Sequence, residues 1–210
     1  MTTHSRPTVS IAYHSGYGHT DVLAEAVRAG VAGAGADARL IRVDEITPGQ
    51  WSELDDSDAI VFGAPTYMGT ASSAFHVFAE ATSKRFGGVW RDKLAAGFTN
   101  SGAKSGDKLH TLQFFTVLAA QLGMNWVSLG LQPGWNSSQA SEHDLNRLGF
   151  YLGAAATAVT PSTRANVARI FWVRLTSAPS ERWVGARRWN RAVGRRGESR
   201  MPMTLATRGR

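Results

Sequence analysis

The chain contains no cysteine, which excludes disulfides, thiolate nucleophiles and iron–sulfur clusters together. Histidine is sparse, with six residues in all. His14 and His19 stand five apart, off the four-residue spacing that puts two ligands on one helical face, so no metal is expected. No stretch reaches the roughly 18 consecutive apolar residues of a membrane-spanning helix. The opening Met1-Thr2-Thr3-His4-Ser5-Arg6-Pro7 lacks the apolar centre of an export signal. These absences lead us to expect a soluble, cytoplasmic chain without a membrane partner. A basic excess is missing from most of the sequence as well. Residues 1–161 carry 11 Lys and Arg against 14 Asp and Glu, whereas residues 162–210 carry 12 Arg, no Lys and two Glu.

What is present is a glycine loop at a strand-to-helix junction. The apolar run Val9, Ile11, Tyr13 leads into Ser15-Gly16-Tyr17-Gly18-His19-Thr20, and helical spacing follows at Val22, Leu23, Ala26, Val27 and Val31. Such a loop gathers backbone N–H groups and hydroxyls around an anion, and the helix N-terminus adds positive potential. Two stronger phosphate motifs are excluded by spacing. A dinucleotide fingerprint needs glycine where Asp21 stands, and Gly102-Ala103-Lys104-Ser105 breaks the Walker pattern. The loop has no Lys or Arg, so a phosphate there meets neutral donors. That suits a flavin mononucleotide better than a nucleoside triphosphate. Taken alone, the segment reads equally well as a capped tight turn.

Two further loops favour a ligand site. Gly63-Ala64-Pro65-Thr66-Tyr67-Met68-Gly69-Thr70 follows the buried-type run Ala59-Ile60-Val61-Phe62. Asn100-Ser101-Gly102-Ala103-Lys104-Ser105-Gly106-Asp107 follows the run Leu94 to Phe98 and precedes a helix with Leu109, Leu112, Phe115, Leu118 and Leu122. All three loops leave the C-terminal end of an expected strand, the edge at which open parallel sheets bind ligands.

In order and spacing these segments resemble the three FMN-binding loops of flavodoxin-like proteins. The likeness runs over roughly residues 8–158. It is nearest to the tryptophan-repressor-binding-protein-like NAD(P)H:quinone oxidoreductases, with the related NADPH-dependent FMN reductases. The resemblance implies a cofactor site made of Ser15, Gly16, Tyr17, Gly18, His19 and Thr20 for the phosphate and ribityl chain. Pro65, Thr66, Tyr67, Met68 and Gly69 would lie against the ring. Asn100, Ser101, Gly102, Ala103, Lys104, Ser105 and Gly106 would face its N1/O2 region, stabilising negative charge on the reduced flavin. Tyr67 stacks on the ring or simply packs, and Lys104 is either a nearby cation or a solvated lysine. Gly87-Gly88-Val89-Trp90 looks like an element that lies near the flavin in oligomers of the family, so the resemblance implies a homodimer or homotetramer with Trp90 meeting a neighbour's cofactor. Leu122 before Gly123-Met124 departs from the histidine often found there. Residues 132–141, with Trp135, either shape the acceptor pocket or form a surface loop.

The alternation of elements predicts an α/β fold: a flavodoxin-like, doubly wound, five-stranded parallel sheet with helices on both faces. Strands are expected near residues 8–14, 37–43, 59–64, 94–100 and 126–130. Helices are expected near 20–33, 71–85, 107–122 and 142–159, with a weak one around Gln50 to Leu54. Residues 1–161 form the domain and 162–210 a basic, Arg-rich tail without amphipathic period, expected to be disordered. Back-translated with GC-rich codons, Arg169 to Val193 admits in another frame a string like the family's terminal helix, so a frameshifted terminus is preferred to a genuine basic extension. Three functions follow. The first is an FMN enzyme taking electrons from NAD(P)H to a quinone or similar acceptor, with no catalytic side chain required. The second is an FMN electron carrier without a nicotinamide site, disfavoured by the modest charge of the domain. The third and weakest, nucleic-acid binding, rests on the tail alone.

Overall fold

A computed structural model describes residues 6–157. The expectations for the tail, 162–210, and for its reading frame lie outside the described residues.

The chain alternates strands and helices as the apolar periods predict. The elements are β1 (Thr8–Tyr13), α1 (His19–Gly33), β2 (Asp37–Arg42), α2 (Pro48–Asp56), β3 (Ala59–Tyr67), β4 (Thr70–Ala71), α3 (Ser73–Ala81), β5 (Leu94–Asn100), α4 (Lys108–Gln121), β6 (Asn125–Trp126) and β7 (Ala154–Ala156). The main sheet runs β2-β1-β3-β5-β6, and its pairings are parallel. This is the flavodoxin-like order, in which ligands bind outside the C-terminal strand ends. Helix α2 is firmer than its sequence suggests. Thr47 and Gln50 close a capping box, and Pro48 opens the helix without an N–H to satisfy.

The sheet separates two cores by strand parity. Ile60, Phe62 and Ala64 of β3 face Leu54, Phe75, Phe78, Leu112, Phe115 and Leu118 from α2, α3 and α4. On β1, Val9 and Ile11 are buried, as are Leu23, Val27 and Val31 of α1. Gly63 is glycine for a steric reason. A Cβ there would lie 2.2 Å from the Phe98 ring, so the β3–β5 pair closes only without a side chain.

Two expectations fail beyond β5. The strand expected over 126–130 stops at Trp126, and of the helix expected over 142–159 none forms over its described part, 142–157. Leu145, Leu148 and Leu152 mimic a helical period, but Asn146 and Gly149 are left-handed (φ 51° and 72°). Asn146 is held there by its amide donating to Leu131 O and its carbonyl accepting from Gly134. The chain then returns as β7, pairing Phe98–Asn100 in parallel beyond the point where β6 ends. The fifth sheet position is thus shared by two short strands. Gly153 makes the return feasible, since a Cβ there would meet Gly97 O at 2.4 Å.

Candidate functional site

The three loops converge at the C-terminal edge, and side-chain bonds tie them together. In the first, Ser15 is buried and its Oγ accepts the Asp21 N–H at 3.2 Å. Gly18 takes the N-cap position of α1 with φ 81°, and no side chain caps that helix. Apart from the Asp21 N–H that Ser15 Oγ accepts, the first turn has no side-chain cap, as an anion-binding end requires. Arg42 reaches the loop from β2 and donates to Ser15 O at 3.3 Å, but Asp21 and Asp44 balance its charge. Gly16, Tyr17, Gly18 and His19 are exposed around this end.

Thr20 does not point outward. Its hydroxyl donates to Asn100 Oδ1 at 2.9 Å, bridging the first and third loops. Thr66 is likewise internal, its Oγ1 lying 2.8 Å from both the Thr99 and Thr111 hydroxyls. These two threonines position loops rather than present donors at the surface. Pro65 pairs with Asn100 in the β3–β5 register, so the second and third loops leave the sheet side by side.

The second loop holds a feature the sequence reading missed. Tyr67 pairs antiparallel with Thr70, leaving Met68-Gly69 as a two-residue hairpin turn with φ 48° and 86°. Positive φ at both central residues is the hairpin geometry that matches strand twist. It is uncommon for a methionine, and such outliers cluster at functional sites. Met68 is fully exposed at 101%, Tyr17 at 82% and Tyr67 at 37%. Tyr17 and Tyr67 meet edge-on at 6.1 Å. His110, from α4, fixes the hairpin through Nδ1 at 2.7 Å from Gly69 O.

The third loop, with the start of α4, holds two lysines in different settings. Lys104 is exposed, with its ammonium over the Trp135 ring at 5.5 Å. The buried cation is Lys108, at the start of α4, with no exposed surface. Its Nζ donates to Ser101 Oγ at 2.9 Å and to Ala103 O. Its place among helix-forming residues hid it in the sequence. Gly102 stands open, since a Cβ there would meet no protein atom within 4 Å, while Gly106 is closed against Ser101. Ala103 and Ser105 are exposed.

Two further residues are relocated. Trp90 is fully buried, stacked on Trp51 with Phe78 tilted against it, and its Nε1 donates to Asp55 at 2.7 Å. It has no surface with which to meet a neighbour's cofactor. Leu122 is buried in the core and does not line the loops. Among the described residues no cluster of three metal-ligating side chains occurs, and no helix is long and apolar enough to cross a membrane.

The model for NADPH-dependent FMN reductases matches residues 11–132. The chain belongs to this family of FMN-binding, flavodoxin-like oxidoreductases. It is 45% identical over 148 residues to flavodoxin FldP of Pseudomonas aeruginosa, covering 69% of this chain and 77% of that one. It is 34% identical over 141 residues to NAD(P)H dehydrogenase (quinone) 3 of Rhizobium meliloti, covering 57% and 65%. Among solved structures it is similar to a WrbA-like flavodoxin from Agrobacterium tumefaciens, with TM-score 0.66 and 36% identity over 87% of this chain and 98% of that one.

Burial lowers the Lys108 pKa from 10.5 to about 8. Between those values the unfolded chain binds a proton that the folded chain has released, so the Lys108 contribution to stability rises with pH across that interval. Below about pH 8 the burial of the charged ammonium is unfavourable in full. Relative to Lys108→Met, the melting temperature of the wild-type apoprotein should therefore rise from pH 8 to pH 10. Parallel melting curves in pH would contradict a buried ammonium.

Proposed function

We propose that the chain uses bound FMN to pass electrons from NAD(P)H to a quinone or similar small acceptor. One observation carries this reading. An uncapped helix N-terminus, an exposed Tyr17–Tyr67–Met68 surface and an open Gly102 loop meet at one sheet edge. The donors fit FMN: neutral N–H and hydroxyl groups for one phosphate, apolar and aromatic surface for a planar ring, and backbone for its polar edge. When bound, FMN supplies the hydride and electron chemistry. The chain's own residues bind and orient it, and none is required as a general acid or base. Ser15 and the first turn of α1 hold the phosphate. Thr20, Thr66 and His110 keep the three loops in register.

NAD(P)H oxidation with a quinone, measured while FMN is titrated into apoprotein, tests the proposal. Turnover should require FMN and follow ping-pong kinetics, because donor and acceptor use one site in turn. Equal NADH oxidation by apoprotein and FMN-loaded protein would refute flavin catalysis. The 45% identity to a protein named flavodoxin favours a second reading, an FMN electron carrier. In that case FMN binds but NAD(P)H alone does not bleach its absorbance. The proposal includes self-association. Phe86 and Val117 are exposed at a cavity of about 550 Å³ between α3 and α4, and a second copy would cover them.

A further inference from the structure

Lys108 is the buried charge that the proposed reaction does not use. Full burial of an ammonium is rare without a paired carboxylate. Among the described residues no carboxylate forms an ion pair with it. Its partners are neutral, Ser101 Oγ and Ala103 O, both within the third loop. Its position is fixed from three sides. It opens α4, the preceding Asp107 is left-handed at φ 53°, and Ser101 N donates to Ala156 O of β7 at 3.2 Å, fastening the loop's other end. The cation thus lies beneath a loop whose outer side is open at Gly102.

An uncompensated buried charge is stabilised by whatever anion comes to it. Resting on the proposed FMN site, we propose that Lys108 is a positioning residue that shapes the third loop and makes this edge favour the reduced, anionic flavin over the oxidised one. Two electrons and one proton convert FMN to that anion at neutral pH, and NAD(P)H supplies both electrons and the proton as hydride. The phosphate does not need Lys108, because it has the uncapped end of α1. The ring's added negative charge is the part of the ligand that changes with redox state. At low local dielectric a fixed cation responds strongly to that change.

The test is the ratio of dissociation constants for oxidised and dithionite-reduced FMN, measured anaerobically for wild type, Lys108→Met and Lys84→Met. Wild type should bind reduced FMN at least as tightly as oxidised FMN, a result that needs no variant. Lys108→Met should shift the ratio at least tenfold toward the oxidised form, equivalent to lowering the bound two-electron potential by about 30 mV. Lys84→Met should leave the ratio within twofold, since that cation is exposed and lies outside the three loops. Lys108→Gln serves the same purpose should the methionine variant unfold. Equal weakening of both forms would mean a purely structural or phosphate-directed lysine and would overturn the proposal. So would a wild type that clearly prefers oxidised FMN. A wild type that binds neither form overturns the FMN reading itself, whereas binding with an unchanged ratio overturns only the role of Lys108.

Discussion

Ser15→Ala is expected to weaken FMN binding by about ten- to a hundredfold, or roughly 1.5–3 kcal/mol, the worth of one hydrogen bond to a charged acceptor. The effect is large because the first loop contains no cation to share the load. Arg42, the nearest, is matched by Asp21 and Asp44. Ser15 Oγ accepts the Asp21 N–H, which orients the side chain and leaves its proton for the ligand. Thr20→Ala should behave differently. Its hydroxyl already serves Asn100, so its loss loosens the link between two loops and leaves a buried carbonyl without that donor. Riboflavin, which lacks the phosphate, separates the two cases. Ser15→Ala should lose affinity for FMN and keep its riboflavin affinity, whereas Thr20→Ala should lose affinity for both. Fluorescence titration of each variant with each ligand measures this. Wild-type FMN affinity in Ser15→Ala would remove Ser15 from the phosphate site.

The contrast between these two residues shows where sequence reading stops. Ser15 and Thr20 both belong to the motif and both are buried, and only the bond from Thr20 to Asn100 of β5 commits one hydroxyl proton within the protein. The sheet was legible because β1, β3 and β5 are apolar runs ending in glycine loops, a local signal repeated at each of the three. The loops were legible for the same reason. The hairpin at Met68-Gly69 was not, because its turn needs positive φ from a methionine, which local preference argues against. The helix expected over 142–159 failed because a leucine period can be satisfied by a folded loop, and Asn146 gains more from bonding Leu131 than from continuing a helix. Lys108 was missed and Lys104 noticed because loop lysines attract attention and helix lysines do not. Burial, which distinguishes them, is a property of tertiary structure.

Trp90→Ala is expected to destabilise the protein by about 3–5 kcal/mol, the usual cost of deleting a large buried aromatic, lowering the melting temperature by roughly 6–20 °C. The side chain is fully buried, with ring centroids of Trp51 and Phe78 at 6.4 and 6.5 Å. Its Nε1 also anchors Asp55, whose carboxylate accepts two bonds from Arg85 at 2.6 and 2.9 Å. That guanidinium in turn stacks 4.0 Å over Trp51. Removing the indole therefore opens a cavity and loosens one hold on a partly buried charge network. Trp90→Phe keeps most of the volume and loses only the hydrogen bond, so its cost should fall to about 1–3 kcal/mol. Thermal melts of apoprotein give the ranking, and FMN titration of the folded fraction gives the functional control. With Trp90 inside the core, the flavin absorbance and FMN affinity of that fraction should match wild type. A Trp90→Ala protein that melts like wild type but shows a changed flavin spectrum only when oligomeric would return Trp90 to the surface and to a neighbouring subunit's cofactor.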